Sequence, residues 1–485
     1  MELELCLTPD DAARLPRHRL LAPLKSGRTR SRPVRIVWHD SAARELAQQG
    51  LALAQHRSQW DLEALRPDAM HWPPGAPAPV LARARSVDQL GHPVPDPLLP
   101  VAALEGRANT ISLATEQGPV SLTLLHGEVR SVVGEHPVNR LSLQGGAEPV
   151  RALALALASD VHLSVPCTSL AAEAFAVATG VRPAPRREGP PELPEGLSIA
   201  EAFAHVVGHL GDVIIQLAPD AANGGGGPEP VHQMRVAVRR LRSAIRAFRG
   251  ALASPEIMQA DKALKALAAK LGPTRDWDVF VTETAAGVVQ SFPNEQRLQR
   301  LLAAAERRRR AHGDDLRQYL SGGEFRHLAI TLACLANHDP TVATADAADA
   351  AEPTAPLGDF AAQVLGKRYK RLAKIDDQLS DLQPATLHAI RLHAKRLRYT
   401  AEIFAPIYPG KPTHRFLHRL SRLQGRLGAL NDAAVSEQLM AQLSNGNHGF
   451  ATGLVLGFIG AHSRKQRRQI DQAWTRFHRQ APFWA

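Results

Sequence analysis

The chain has 485 residues, of which 44% are hydrophobic, so it can bury the cores of two or three domains. Its three cysteines, Cys6, Cys167 and Cys334, lie far apart, which excludes a disulfide framework and a Cys-x-x-Cys metal site and favours a reducing cytoplasm. The opening residues lack a secretory pattern, and the longest apolar stretch, Phe450 to Ala461, is too short to span a bilayer. We therefore expect a cytoplasmic protein with no membrane partner.

The net charge of +11 is concentrated in one part of the chain. Residues 1–196 carry 20 basic and 21 acidic side chains, whereas residues 197–485 carry 38 basic and 26 acidic side chains. A surface that binds a polyanion should therefore belong to the second part alone.

Residues 1–181 have the pattern of a mainly antiparallel β domain. Runs such as Asn109 to Val133 alternate apolar and polar residues with turn residues between them, which is typical of strands. A helix is predicted at Glu148 to Ala158. Residues 182–196 are rich in proline, glycine and charge without an apolar period, which predicts an interdomain linker.

Residues 197–485 have the pattern of an all-α domain, because apolar residues recur at helical spacing through most of this region. Two segments, Ala222 to Pro230 and Asp339 to Pro356, are predicted loops. The predicted fold class is therefore α+β, with a β domain followed by a helical domain.

An internal repeat divides the helical region into two copies. The segment that starts at Val231 aligns without a gap with the segment at Leu387, and a second pair starts at Leu264 and Leu420. Both pairs have the same offset of 156 residues, which indicates a tandem duplication. Matched residues include His232 with His388, Arg235 with Arg391, Phe248 with Phe404, and Asp276 with Asp432. The copies span about residues 197–340 and 356–485.

The first repeated helix carries a basic stripe. On a helix with about 100° per residue, five side chains fall within an arc of roughly 80°. They are His232, Arg235, Arg239, Arg242 and Arg246. The second copy has His388, Arg391, Lys395 and Arg398 at the equivalent positions, and Glu402 in place of the last arginine.

Like charges at this spacing repel, and nothing local offsets that cost. An anion lying along the stripe would offset it, because guanidinium groups fork onto phosphate oxygens and histidine donates a further hydrogen bond. A linear chain of phosphates matches a linear row of donors. Inorganic polyphosphate is therefore the predicted ligand.

Further basic groups extend the positive surface. One row lies on the helix that opens the second repeated block: Lys411, Arg415, Arg419, Arg422 and Arg426. Another consists of Lys367, Lys370, Arg371 and Lys374. The run Arg307 to Arg310 surrounds a helix and cannot share one face, so it is interpreted as solvated.

The same residues also have a purely structural interpretation. A single basic stripe is often only a solvated face, but its presence in both copies favours a function. His232 and His388 follow loops, which suits a role at the start of a helix. Asp276 and Asp432 are interpreted as helix caps or as partners of a structural arginine, and are not assigned to a site.

The helical region resembles the CHAD family, the conserved histidine α-helical domain. The resemblance rests on the His-x-x-Arg helices, the Leu-Gly-x-x-x-Asp blocks and the closing Ala-Pro-Phe-Trp, and covers roughly Leu197 to Ala485. It implies two four-helix units related by a pseudo-twofold axis, with basic surfaces that bind polyphosphate and can direct proteins to polyphosphate granules. The positions it implicates are His232, Arg235, Arg239, Arg242, His388, Arg391, Lys395 and Arg398.

Residues 1–181 resemble a CYTH domain, a β tunnel that binds triphosphate with glutamate, lysine and arginine side chains and needs a divalent metal. Glu2 and Glu4 match its Glu-x-Glu-x-Lys motif, but Cys6 replaces the lysine. Ala54 and His56 stand where arginines are expected.

The strand that begins at Val138 also lacks the expected glutamates. Phosphoryl transfer depends on such cations and carboxylates, so a noncatalytic tunnel without catalytic residues, metal or cofactor is expected. The remaining charged residues Glu2, Glu4, Arg57 and Arg107 either line a channel or are ordinary surface charges.

Three functions stay open. The first is a polyphosphate-binding and targeting protein. The second is a nucleic-acid-binding protein, since basic helices bind any phosphate backbone, although only 5% of residues are aromatic and few lie near the stripes for base stacking. The third is a residual triphosphatase or polyphosphatase in the N-terminal domain, which the missing lysine and glutamates oppose.

Overall fold

The computed structural model describes residues 1–65, 72–181, 189–224, 227–337, 352–375, 379, 383–444 and 449–484. Most of the predicted loop from Asp339 to Pro356, residues 225 and 226 of the other loop and residues 182–188 of the linker lie outside this description. The chain forms two compact units. The first consists of Met1–Gly189, Val207–Gln216 and Gly322–Asp339, and the second of Pro190–Val206, Leu217–Ser321 and Pro340–Ala485.

The first unit is built on one antiparallel sheet that curls into a half-barrel. Its strands are β1 (Glu2–Cys6), β2 (Arg30–Asp40), β3 (Leu51–His56), β4 (Gln59–Ala64), β5 (Val80–Ala84), β6 (Leu99–Thr115), β7 (Gly118–Arg130) and β8 (Glu135–Gly145). Their order in the sheet is β1-β8-β7-β6-β2-β3-β4-β5. The mainly antiparallel β prediction is confirmed, and the half-barrel is compatible with a CYTH-like tunnel.

Four helices accompany these strands in the chain. They are α1 (Pro9–Arg14), α2 (Glu45–Gln48), α3 (Ala147–Ala158) and α4 (Leu170–Thr179). Alternation along β1 places Leu3 and Leu5 in a core with α3, while Glu2, Glu4 and Cys6 project from the other face. We call that second face, which also carries Ala54 and Asp61, the inner face.

The helical region follows with ten helices among the described residues. They are α5 (Ile199–Asn223), α6 (Glu229–Phe248), α7 (Pro255–Val279), α8 (Ala286–Ser291), α9 (Gln296–Ser321), α10 (Gly323–Ala336), α11 (Leu357–Ala373), α12 (Pro384–Phe404), α13 (Lys411–Ser444) and α14 (Phe450–His478). A π-helical segment, Phe280–Ala285, joins α7 to α8. The all-α prediction is confirmed, although α10 and the middle of α5 belong to the first unit.

Local signals set several helix starts. Ser198 and Glu201 form a capping box at α5, in which the Ser198 amide donates to the Glu201 carboxylate at 2.9 Å. Ser254 accepts from the amide of Ile257 at the start of α7. These short polar contacts satisfy amides that have no partner inside the helix.

The helix α5 is long and apolar enough to cross a membrane by length and composition, and it is the one such helix among the described residues. Buried positions make up 72% of its most apolar window, as in the core helix of a folded domain. The stretch Phe450 to Ala461, which the sequence analysis identified as the longest apolar stretch, is shorter than this helix.

Candidate polyanion-binding site

The two repeated helices, α6 and α12, pack so that equivalent residues meet. The rings of Phe248 and its copy Phe404 have centroids 5.6 Å apart. Arg239 lies close enough to its copy Lys395 for its charge to lower the pKa of that lysine. Contacts between equivalent residues occur near a twofold axis. The pseudo-twofold axis implied by the repeat therefore passes between these helices, and the two stripes meet there.

Four basic side chains, two from each stripe, form what we call the central cluster: Arg235, Arg239, Arg391 and Lys395. Burial, followed by the charges of the surrounding arginines, lowers the pKa of Lys395 to about 6. Burial and Arg239 likewise lower the pKa of Arg235 to about 10, although Asp276 opposes the shift. Both shifts mean that adding positive charge here is unfavourable, and that a bound anion would be stabilised.

Two aspartates from equivalent positions flank the central cluster. The Arg235 guanidinium lies 3.3 Å from the Asp276 carboxylate, and the charge of Asp432 acts on Arg391. Asp276 lies within α7 and not at its start, so it is the partner of an arginine and not a cap. Burial raises the pKa of Asp276, although Arg235 and Arg239 oppose the shift. Two carboxylates only partly balance the cations around them.

The two histidines occupy equivalent positions but have different neighbours. The Nδ1 atom of His232 is buried and has no hydrogen-bond partner among the described residues. Burial, followed by the charge of Arg275, lowers the pKa of His232. The residue equivalent to Arg275 is Asn431, whose Oδ1 lies 3.2 Å from His388 Nδ1. Both histidines lie near the start of their helices, at the place that the sequence suggested, and neither helix has a side-chain cap.

The two ends of the paired stripes differ in charge. At one end Arg246 is exposed and lies near Arg242 and Arg396, and burial together with these cations lowers its pKa. At the equivalent place in the second copy, Glu402 lies 3.2 Å from Arg240 and 3.3 Å from Arg398. One end is therefore strongly positive, while an internal carboxylate partly neutralises the other.

The positive end also contains Arg368 of α11. Its guanidinium donates to Ser243 Oγ at 3.2 Å, to the Arg396 carbonyl at 3.0 Å and to Thr400 Oγ. Burial, followed by the charge of Arg396, lowers its pKa to about 10. Neutral oxygens thus hold this cation beside Arg246 and Arg396.

The remaining stripe residues have mixed surroundings. Arg242 pairs with Asp261 at 2.7 Å, and Arg398 donates to Ser421 Oγ at 3.4 Å. Of the α13 row, Lys411, Arg415 and Arg422 are exposed, whereas Arg419 and Arg426 are partly buried and Arg419 donates to the carbonyl of Arg476. Lys367, Lys370, Arg371 and Lys374 are exposed.

The arginine run on α9 is largely solvated, as predicted, with Arg307, Arg308 and Arg310 exposed. The exception is Arg309, which pairs with the buried Asp278 at 3.3 Å and with Glu306 at 2.8 Å. Four consecutive residues project in four directions around a helix, so one of them reaches a neighbouring helix.

The inner face has no lysine or arginine at Cys6, Ala54 and His56, the positions where the CYTH resemblance implies cations. Burial raises the pKa of Cys6 to about 11, so its thiol is neutral and does not replace a lysine. Arg140 lies 2.6 Å from Glu173 and 3.9 Å from Glu4. Burial raises the pKa of Glu4, against the influence of Arg140.

The sequence left undecided whether four charged residues of this domain line a channel or are surface charges, and the structure places them in two pairs. Glu2 and Glu4 project from the inner face, where Ser142 donates to Glu2 at 2.8 Å. Arg57 and Arg107 are exposed. The glutamates therefore lie on the concave side of the sheet, whereas the two arginines are surface charges.

Sequence reasoning left several site residues out. Arg240 and Arg396 match in the repeat but lie off the stripe, and only helix packing brings them to its ends. Tyr399 lies beneath the stripe of α12, 5.3 Å from Arg398 and 5.8 Å from Lys395. No sequence signal indicated this aromatic contact.

The helical architecture and the basic cluster on its internal axis define a duplicated α-helical domain with a positively charged surface. The sequence profile of the CHAD domain matches residues 199–441, and the chain belongs to the CHAD family. No curated protein matches the sequence.

Two solved structures are similar to part of the chain. The CHAD domain from the plant Ricinus communis is 26% identical, with 61% of this chain and 97% of that chain covered and a TM-score of 0.48. PptA from Streptomyces chartreusis is 17% identical, with 58% of this chain and 98% of that chain covered and a TM-score of 0.42.

Proposed function

We propose that the protein binds inorganic polyphosphate at the central cluster and along the two stripes that meet there, and that this binding directs it to polyphosphate granules in the cytoplasm. The observation that carries the proposal is the meeting of Arg239 with Lys395, its equivalent in the repeat. Aromatic packing brings the two helices together, and a polyanion lying across both stripes would offset the repulsion between the cations that meet there. The association of the CHAD family with polyphosphate supports this ligand.

The chemistry favours polyphosphate over a nucleic acid. Binding of single strands depends on exposed aromatic rings on which bases stack. Tyr399 beside the central cluster is only 4% exposed and is covered by Lys395 and Arg398, so its ring does not offer such a platform. The central cluster therefore offers donors for phosphate oxygens without a surface beside them for base stacking.

The test measures binding of the full chain to long polyphosphate, with single-stranded DNA, RNA and tripolyphosphate as competitors. One triple variant changes Arg235, Arg239 and Arg242 to alanine, and a second changes Arg391, Lys395 and Arg398 to alanine. Because each lost phosphate contact removes charge-assisted hydrogen bonds and counterion release, each variant should lose at least about tenfold in affinity and show a flatter salt dependence.

The matched control changes Arg307, Arg308 and Arg310 to alanine, which removes the same formal charge from an exposed part of α9. It should bind nearly as the wild type does. Equal losses in all three variants would mean that net charge alone attracts the ligand. Preference for DNA or RNA over polyphosphate would identify a nucleic-acid-binding protein instead.

A further inference from the structure

Three potential metal ligands lie together on the inner face of the sheet: His56, Asp61 and Glu63. Strands β3 and β4 pair so that Ala54 is opposite Asp61 and Ala52 is opposite Glu63. Opposite residues of antiparallel strands share a face, as do alternate residues along one strand. The two alanines are small, so they leave room for the His56 ring to approach both carboxylates.

The distances suit a small divalent ion. His56 Nε2 lies 3.7 Å from Asp61 Oδ2 and 3.8 Å from Glu63 Oε1, and the three ligand atoms lie within 4.8 Å of one another. Ligand atoms at tetrahedral corners, with bonds of 2.0–2.2 Å to zinc, are about 3.4 Å apart. Side-chain movements of less than about 1 Å would therefore bring all three onto one ion.

The imidazole has an unused coordinating atom. His56 Nε2 is buried and has no hydrogen-bond partner among the described residues. A buried polar atom without a partner is costly, and coordination of a metal removes that cost. This observation is independent of the spacing of the carboxylates.

Asp61 is already held in place by outer groups. Arg83 donates to its two oxygens at 2.9 and 2.8 Å, and Gln59 donates at 2.9 Å. Ligating carboxylates are commonly oriented by such hydrogen bonds, and Asp61 Oδ2, the oxygen nearest His56, accepts only one of them and keeps a lone pair for a metal.

The surrounding charges also favour a cation. The charge of Glu63 on β4 raises the pKa of Glu4 on β1. These two strands are far apart in the sheet order, so the curl of the sheet must bring them near each other. Glu2 and Glu173 act on Glu4 as well. These carboxylates and that of Asp61, five in all, outnumber the two guanidinium groups paired with them among the described residues, those of Arg83 and Arg140, and an excess of carboxylates attracts positive ions.

We propose that His56, Asp61 and Glu63 bind a divalent transition-metal ion, with zinc as the best match. One imidazole and two carboxylates are ligands that zinc accepts, and three protein ligands leave a further position for water. The site is separate from the polyphosphate-binding surface and lies on residues of the first unit.

The experiment titrates the metal-free full chain with Zn²⁺ by calorimetry and with Co²⁺ by visible absorption, which reports coordination directly. The test variants are Glu63→Gln, which keeps the shape of the side chain, and His56→Arg, which places a cation between the two carboxylates. The control is His162→Gln, because exposed His162 lies 3.5 Å from a single carboxylate, that of Asp11.

The wild type and the control should bind one more ion per chain than either test variant, or bind it at least about tenfold more tightly. Zn²⁺ should also raise the melting temperature of the wild type more than that of the variants. Equal stoichiometry, affinity and Co²⁺ spectrum in the wild type and both folded variants would overturn the proposal. If Glu63→Gln does not fold, His56→Arg alone decides between these outcomes.

Discussion

At the scale of single residues, Lys395 has the most unusual chemistry of the binding surface. It is the second-copy equivalent of Arg239, and burial together with neighbouring arginines lowers its pKa to about 6. An arginine keeps its proton in such a place, whereas a lysine loses it. The site therefore contains one group whose charge depends on pH near neutrality.

We expect polyphosphate binding to depend on pH through Lys395. A bound phosphate chain raises the pKa of this amine, so binding takes up a proton at any pH between about 6 and the raised value. Affinity should be greatest below pH 6 and fall by up to about tenfold per pH unit as the pH rises through that window. Calorimetry in buffers of different ionisation enthalpy measures the proton uptake.

The control for this prediction is Lys395→Arg, which keeps the positive charge at every pH used. It should flatten the dependence above pH 6 while both histidines remain in place. An unchanged pH profile in this variant would assign the effect to another group.

Lys395 should also lower the stability of the free protein. In the unfolded chain this lysine has its ordinary pKa, so between that value and about 6 the unfolded state binds more protons than the folded state. The destabilising effect of this lysine is therefore greatest below about pH 6 and decreases as the pH rises toward the unfolded pKa. Lys395→Met should raise the melting temperature at pH 7 by about 2–4 °C, the effect of roughly 1 kcal/mol in a domain of this size.

The gain in melting temperature should accompany weaker polyphosphate binding, because the same substitution removes from the site an amine that is protonated when the ligand binds. Differential scanning fluorimetry and a binding titration on one preparation measure both effects. A lower melting temperature would show that the lysine contributes packing that methionine does not replace.

At the scale of secondary-structure elements, the duplication is symmetric in shape but not in charge. Glu402 lies between Arg240 and Arg398, while the equivalent Arg246 lies near Arg396. A polyanion that extends beyond the central cluster therefore finds more free cations on the Arg246 side.

Glu402→Gln should free two arginines and increase the affinity for long polyphosphate several-fold. The slope of affinity against salt concentration should become steeper by the amount that about one additional phosphate contact gives. Arg246→Gln should have the opposite effect. Affinity as a function of salt concentration distinguishes them. Identical behaviour of the two variants would mean that the ligand does not reach the ends of the stripes.

The packing of α6 on α12 depends on an aromatic core. Phe248 is fully buried and contacts Phe203, Phe360 and Phe404, with ring centroids 5.4–5.6 Å apart. Phe248→Ala should cost about 3–5 kcal/mol because it leaves a cavity at the axis. Phe292→Ala, at a residue 47% exposed, is the control and should cost little. Chemical denaturation measures both, and similar losses would contradict the central role of this ring.

At the scale of the whole molecule, the two units differ in electrostatic character. The inner face of the first unit carries carboxylates around Arg140, whereas the second carries cations around its internal axis. The family match covers residues 199–441, so the established family assignment concerns the helical part.

The full chain should not hydrolyse triphosphate above background with Mg²⁺ or Mn²⁺, because the inner face lacks a lysine at Cys6 and the arginines expected at Ala54 and His56. Release of inorganic phosphate measures this. Turnover that disappears when Glu2 and Glu4 are both changed to glutamine would show that the tunnel is an active enzyme.

Several features followed from the sequence because they depend on local order. Helical spacing and the 156-residue offset predicted the duplicated helices, and the basic residues of α6 and α12 recur at positions that share one helix face. Alternation of apolar and polar residues predicted the strands, and the helix predicted at Glu148 to Ala158 is α3. Charge counting assigned the positive excess to the correct part of the chain.

Only the tertiary structure decided how these elements act together. The pKa of Lys395, the pairing of Arg235 with Asp276 and the bridging of two arginines by Glu402 all depend on distances between residues far apart in sequence. The same holds for His56, which sequence reasoning noted only as a missing arginine and which the curled sheet places against two carboxylates. Local pattern sets which face of an element a side chain occupies, whereas burial and charge depend on which other faces pack against it.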